Sequence, residues 1–224
     1  MKKHHHMWFM TALAAFCLFS QALFANQAKD QTSSVSTILA GLEKRYQSPA
    51  FSARFYQESP LPDIQITEKA EGKAFFERPG KFRWSYETPD VLDYICDGSR
   101  LWIHSPAENS VWVGTSEDFF GKTGSAAVLT DLKQLQERFK VSVAEAESDK
   151  EFRLKLLPKE KDAGLTHLFL SIDKSTFNIL KIVSFNMNGE ETRISFDTMT
   201  FLPDADDGLF VFKVPKKAIV IPLN

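Results

Sequence analysis

The chain has 224 residues, with 27 lysines and arginines against 29 acidic residues. That length sets one domain as the default, and a 43% apolar, 25% charged composition is ordinary for a globular protein. The near-neutral charge of −2 argues against a nucleic-acid partner or a polybasic membrane patch.

Lys2 and Lys3 precede an apolar run, Met7 to Phe19, that is too short to span a bilayer. Polar Ser20 and Gln21 follow, and Ala25 is the expected last residue before cleavage. The segment therefore reads as a secretory signal peptide, residues 1–25, leaving residues 26–224 as a single domain. Phe16 stands before Cys17, where a lipid-anchor signal needs a small residue. His4, His5 and His6 fall in the part expected to be removed. Losing residues 1–25 removes two lysines and no acid, so 25 basic residues face 29 acidic ones and the formal charge becomes −4. Cys96 is then the one remaining cysteine, read as a buried apolar residue.

Residues 26–33 are polar. Ser34 is a plausible helix cap, and Val35, Ile38, Leu39, Leu42 and Tyr46 repeat at helical spacing until Ser48-Pro49 stops the helix. From Phe51 the period changes to two, and Phe51, Ala53 and Phe55 alternate with Ser52, Arg54 and Tyr56. Pro60 and Pro62 break the next turn. Residues 64–77 read as a long strand with Gly72 marking a bend or bulge. Strands over 81–87, 92–96, 101–104 and 111–114 follow, with Asp97-Gly98 as a tight-turn signal. Residues 116–130 break the rhythm and read as short apolar helical pieces, and 131–139 as a helix. The second half returns to strands at 140–146, 151–157, 165–172, 178–186, 190–201 and 209–214. The pattern is mainly β: one antiparallel sheet of roughly ten strands plus a few helices. Such a sheet curls, and its inner face needs a cover.

Catalysis has no support in the residues. His104 and His167 stand in no metal-ligand or triad spacing, no glycine-flanked serine elbow occurs, and no glycine-rich phosphate loop is present. No cofactor and no metal is expected. What remains is apolar. Phe82, Trp84 and Tyr86 share one face of a strand whose other face carries Lys81, Arg83, Ser85 and Glu87. Core is the better prior for any single aromatic, but the number of aromatics under a one-layer sheet makes a ligand cavity plausible.

An ordered set of residues sharpens this: Phe55-x-Gln57, Gly72, Arg78-Pro79-x-x-Phe82-x-Trp84, Pro89-Asp90, Asp97-Gly98-x-x-Leu101-Trp102-x-x-x-Pro106 and Phe210-x-Phe212-x-x-Pro215. With the secretory signal, the set resembles the LolA family of periplasmic carriers of outer-membrane lipoproteins. The resemblance implies an incomplete, unclosed antiparallel β-barrel of ten or eleven strands with a lid of short helices. It implies a periplasmic monomer that receives acylated lipoproteins from an inner-membrane ABC-type transporter and passes them to an outer-membrane acceptor lipoprotein. It assigns to Arg78 the latch that holds the lid closed, and to Phe55, Phe82, Trp84, Ile95, Leu42, Ile38, Val128 and Leu129 the wall of the acyl-chain cavity. Lys217 stands where the family usually has glycine, and residues around Ser125 to Leu129 are smaller than usual. A lipid- or lipoprotein-sensing regulatory module on the same fold is the competing reading. An outer-membrane acceptor is disfavoured by the missing anchor cysteine.

Overall fold

A computed structural model describes residues 34–115, 127–130, 132–160 and 164–223. The expected signal peptide and most of the 116–130 insert lie outside the described residues. The helix α1 occupies residues 34–45. Its apolar stripe works as the spacing predicts: Val35, Ile38, Leu39, Leu42 and Tyr46 are all buried.

Twelve strands then form one sheet. They are β1 (Ala50–Leu61), β2 (Ile66–Glu77), β3 (Lys81–Thr88), β4 (Leu92–Asp97), β5 (Arg100–Ser105), β6 (Ser110–Thr115), β7 (Phe139–Ala144), β8 (Glu151–Pro158), β9 (His167–Asp173), β10 (Ile179–Phe185), β11 (Glu191–Leu202) and β12 (Ile219–Pro222). Their spatial order is β12-β6-β5-β4-β3-β2-β1-β11-β10-β9-β8-β7. Two meanders, β1–β6 and β7–β11, are therefore joined side by side through the antiparallel β1·β11 pair. β12 returns to the far edge and lies parallel to β6. The edge strands β7 and β12 do not pair with each other, so the sheet stays unclosed.

The turns follow from local chemistry. Gly98 takes φ +104° in the β4–β5 hairpin, where the Asp97 carboxylate accepts hydrogen bonds from the Ser99 and Arg100 amides. Gly72 is the bend the sequence points to. The β2–β3 register shifts between Glu71 and Gly72, and a Cβ there would lie 1.9 Å from the Ser85 carbonyl oxygen and 2.9 Å from the Phe55 ring. Only glycine lets the two strands and that ring approach so closely.

Three details differ from the periodicity. β1 runs through Pro60 to Leu61 before the chain turns in a short 3-10 stretch, Pro62–Ile64. The helix expected over 131–139 is a 3-10 turn, Leu132–Gln134, followed by the single α-turn α3 (Leu135–Arg138), because Phe139 already pairs with Pro158 in β7. An earlier short helix, α2 (Ala127–Thr130), precedes them. The strand expected over 209–214 is a 3-10 turn, Asp207–Phe210, and an extended strap beyond it. Phe210 and Phe212 anchor that strap on a sheet face instead of pairing in the ladder.

Candidate functional site

Side-chain alternation gives the sheet an inner and an outer face. On the inner face Phe55 opposes Gly72 and Phe196 in the ladder, and Trp84 opposes Ala74 and Tyr94. The Phe55 and Trp84 rings lie 4.3 Å apart, Tyr86 meets Phe55 edge-on at 5.0 Å, and Phe76 and Phe196 meet Trp84 at 6.2 and 6.1 Å. These spacings suit offset and edge-to-face aromatic contacts. The helical cover comes from α1 through Ile38 and Leu42, and from the 127–138 segment through Val128, Leu129, Leu132 and Leu135.

Of the eight expected wall residues, Ile38, Leu42, Phe55, Phe82, Trp84, Val128 and Leu129 lie in this one buried cluster. Ile95 does not. It pairs with Arg83 and Trp102 on the outer face and packs with Trp102 and Val111 beneath Phe212 and Ala218. The correction follows from the pleat: Cys96 and Tyr94 face Phe82 and Trp84, so their neighbour Ile95 must point the other way. Cys96 is fully buried in the inner cluster, and burial raises its thiol pKa above the ordinary value.

Polar groups at the margin of this face are placed rather than incidental. The Tyr86 hydroxyl donates to Gln57 Oε1 at 2.9 Å. Burial pushes the Tyr86 phenol well above its ordinary range; nearby Tyr94 adds to the rise. The Trp84 N–H opposes it, although that buried group makes no hydrogen bond of normal geometry. Periodicity singled out Trp84 but could not reveal that its buried N–H would lack a hydrogen bond of normal geometry.

Arg78 sits in the β2–β3 turn. Its guanidinium donates to the Ser48 carbonyl at 3.3 Å, and its amide donates to the Pro49 carbonyl at 2.9 Å. Both acceptors lie in the loop that leaves α1, so Arg78 ties the sheet to backbone at the exit of the covering helix. Contacts between Arg78 and residues 116–126 lie outside the described residues. The same corner is fixed by Tyr46, which sequence reading treated only as a core position. Its hydroxyl accepts from the Ile179 amide at 2.9 Å and lies 3.0 Å from Met199 Sδ. Arg45 donates to Asn178 Oδ1 at 2.7 Å with its guanidinium 3.9 Å from the Phe201 ring centre. The Ser48 hydroxyl donates to the Leu202 carbonyl.

The outer face differs in kind. Across β1, β2, β10 and β11 it carries a cavity of about 830 Å³ whose lining includes Glu58, Lys69, Glu147, Lys181 and Arg193. Lys69 pairs with Glu58 at 3.2 Å, and Lys181 with Glu147 at 2.8 Å. Such paired charge does not suit an acyl chain. Among the described residues no group of three His, Cys, Asp or Glu side chains is placed to hold a metal ion.

The family description "Outer membrane lipoprotein carrier protein LolA" matches residues 47–213, three quarters of the chain. The chain belongs to the LolA family. Its relatives include outer-membrane lipoprotein carrier proteins of Chromohalobacter salexigens, 27% identical over 87% of this chain and 89% of the relative, and of Pseudomonas aeruginosa, 26% identical over 89% and 93%. Among solved structures, an uncharacterized conserved protein from Thermus thermophilus has the same fold at a TM-score of 0.55 and 14% identity, covering 84% of this chain and 99% of its own. In this LolA-family chain the match begins just before Ser48 and ends just after Phe212. It thus contains the Arg78 tie, the aromatic inner face and most of the outer strap.

Proposed function

We propose that this LolA-family protein is a periplasmic carrier that shelters the acyl chains of lipoproteins on its inner face. It takes them from an inner-membrane ABC-type transporter and delivers them, as a monomer, to an outer-membrane acceptor lipoprotein. In this reading residues 1–25 are removed on export and residues 26–224 form the carrier domain.

The observation that carries the proposal is the family match laid on the inner face. Ile38, Leu42, Phe55, Phe82, Trp84, Val128 and Leu129 form one apolar cluster between an unclosed sheet and separate helical pieces. Each methylene buried there is worth about 0.8 kcal/mol, so several acyl chains would be held too tightly to leave unaided. Opening the helical cover on loading exposes apolar surface and breaks polar ties, which returns part of that energy. Arg78 suits such a tie: its planar fork donates to carbonyls and its charge persists at every physiological pH.

The test is Arg78→Leu. The variant should fold normally, within about 1 kcal/mol of the parent, and load lipoprotein, but pass it to an acceptor more slowly. Normal transfer by the purified variant would exclude the latch. Mass spectrometry of lipid or lipoprotein copurifying from the periplasm tests the carrier reading itself. A preparation that carries none, and binds no hydrophobic probe, would overturn it.

A further inference from the structure

The overall negative charge argues against a polybasic membrane patch, but it hides a local exception: from Gly208 to Leu223 the chain holds Lys213, Lys216 and Lys217 and no acidic residue. This is the outer strap and β12. Phe212 packs onto Trp102 and His104, with ring centres 6.1 and 5.2 Å away. That turns its neighbours Val211 and Lys213 toward solvent. Pro215 to Ala218 make a turn, closed by the Ala218 amide on the Pro215 carbonyl at 3.2 Å and by Asn109 Nδ2 on the Lys217 carbonyl at 2.9 Å. Lys216 and Lys217 stand exposed on this turn. β12 follows at the sheet edge with Ile219 61% and Val220 55% exposed, beside Val211 at 61% and Val214 at 43%. Among the described residues the nearby acids are already engaged: Glu108 receives the Ser110 hydroxyl, and Asp207 is held by Lys81 at 2.8 Å. Lysines and aliphatic side chains are thus mixed on one fixed edge.

We propose that this strap and edge strand dock reversibly on an anionic lipid bilayer. The lysines would lie among acidic headgroups while Val211, Val214, Ile219 and Val220 enter the headgroup boundary. A protein partner would need a complementary acidic surface. The bilayer is favoured because four exposed aliphatics accompany three lysines and, among the described residues, the acids near them already hold Ser110 and Lys81. Each lysine near such a surface strengthens binding by about fivefold, and salt weakens the effect. The inference is independent of what the inner face carries.

The test is sedimentation of the full exported chain with vesicles of phosphatidylglycerol and phosphatidylcholine, compared with phosphatidylcholine alone. Binding should require phosphatidylglycerol, fall with salt, and drop by at least about tenfold in Lys213→Glu/Lys216→Glu/Lys217→Glu. Ile219→Ser/Val220→Ser should weaken it severalfold. Both variants should retain the parent's thermal midpoint and its binding of a soluble hydrophobic probe, which reads the inner face separately. No vesicle binding, equal binding to both vesicle types, or unchanged binding by the lysine variant would overturn the proposal.

Discussion

The two faces of β3–β6 are made from the same strands and differ in almost everything else. Inside, Phe82, Trp84, Cys96 and Leu101 join a large cluster reaching from α1 to β8. Outside, Ile95, Trp102 and Val111 form a small patch that the strap closes with Phe212 and Ala218. The inner face is roofed by short helices tied through a few polar contacts. The outer patch is roofed by extended chain that ends as a strand of the same sheet. Apolar alternation thus says that two faces exist, and the type of cover tells them apart.

The largest expected effects test that distinction. Trp84→Ala removes a fully packed inner ring and should cost about 4 kcal/mol, and Trp102→Ala about 3 kcal/mol, both read from urea midpoints. The informative quantity is probe binding. Trp84→Ala should change the affinity for a hydrophobic fluorescent probe severalfold, and Trp102→Ala should leave it as it was. Equal changes from both would erase the difference between the faces.

Next comes Gly72, where β2 and β3 approach beneath Phe55. A Cβ 1.9 Å from a backbone oxygen cannot be accommodated by a side-chain rotation. Gly72→Ala should therefore lose about 3 kcal/mol. Retention of the parent's urea midpoint would mean that the close approach is not needed.

Much of this was legible in the sequence because it rests on local rules. Period-two alternation located β1 through β6, the Asp97-Gly98 turn located the hairpin between β4 and β5, and Gly72 announced its own bend. The helical stripe from Val35 to Tyr46 was equally plain. What alternation could not supply was a partner. Ile95 was assigned to the inner wall although its register with Trp102 puts it outside. Phe210 and Phe212 looked like a strand because an anchored strap and a paired strand share the same alternation. β12 was missed because four residues carry too little pattern, and its pairing with Ser110 to Val113 is set by a contact more than a hundred residues away. Arg78 donates to backbone at the exit of α1, a relation that no spacing rule encodes.

A smaller effect is expected where α1 meets the sheet. Tyr46→Phe keeps the ring contacts with Phe51 and Phe201, both 5.2 Å between centres, but deletes the acceptor of the buried Ile179 amide. The loss should be about 1–2 kcal/mol. If the inner cover opens as a unit, amide exchange in α1 should speed up more than exchange in the outer strap. Equal acceleration would indicate that the two covers are coupled.

The smallest effect lies in the β9–β10 turn, which buttresses the same helix from below. Asp173 Oδ1 accepts from the Ser175 amide and hydroxyl at 3.0 and 2.6 Å, and from the Thr176 amide and hydroxyl at 2.7 and 2.8 Å. The Ser175 and Thr176 hydroxyls, with the backbone amides, lower its carboxyl to about 2. The turn presents Phe177 against Gly41, where a Cβ would meet the ring at 2.1 Å, and Asn178 to Arg45. Because the folded value lies below the unfolded carboxylate's value of about 4, the stabilisation is complete above that pH. It is lost as pH falls from about 4 toward 2. The group is largely solvated, so its worth is only about 1 kcal/mol. Asp173→Asn should lower stability by that amount at neutral pH, and the gap between variant and parent should close across the acid window. A gap that persists to the acid end would place the stabilisation in the turn's backbone rather than in the carboxylate that organises it.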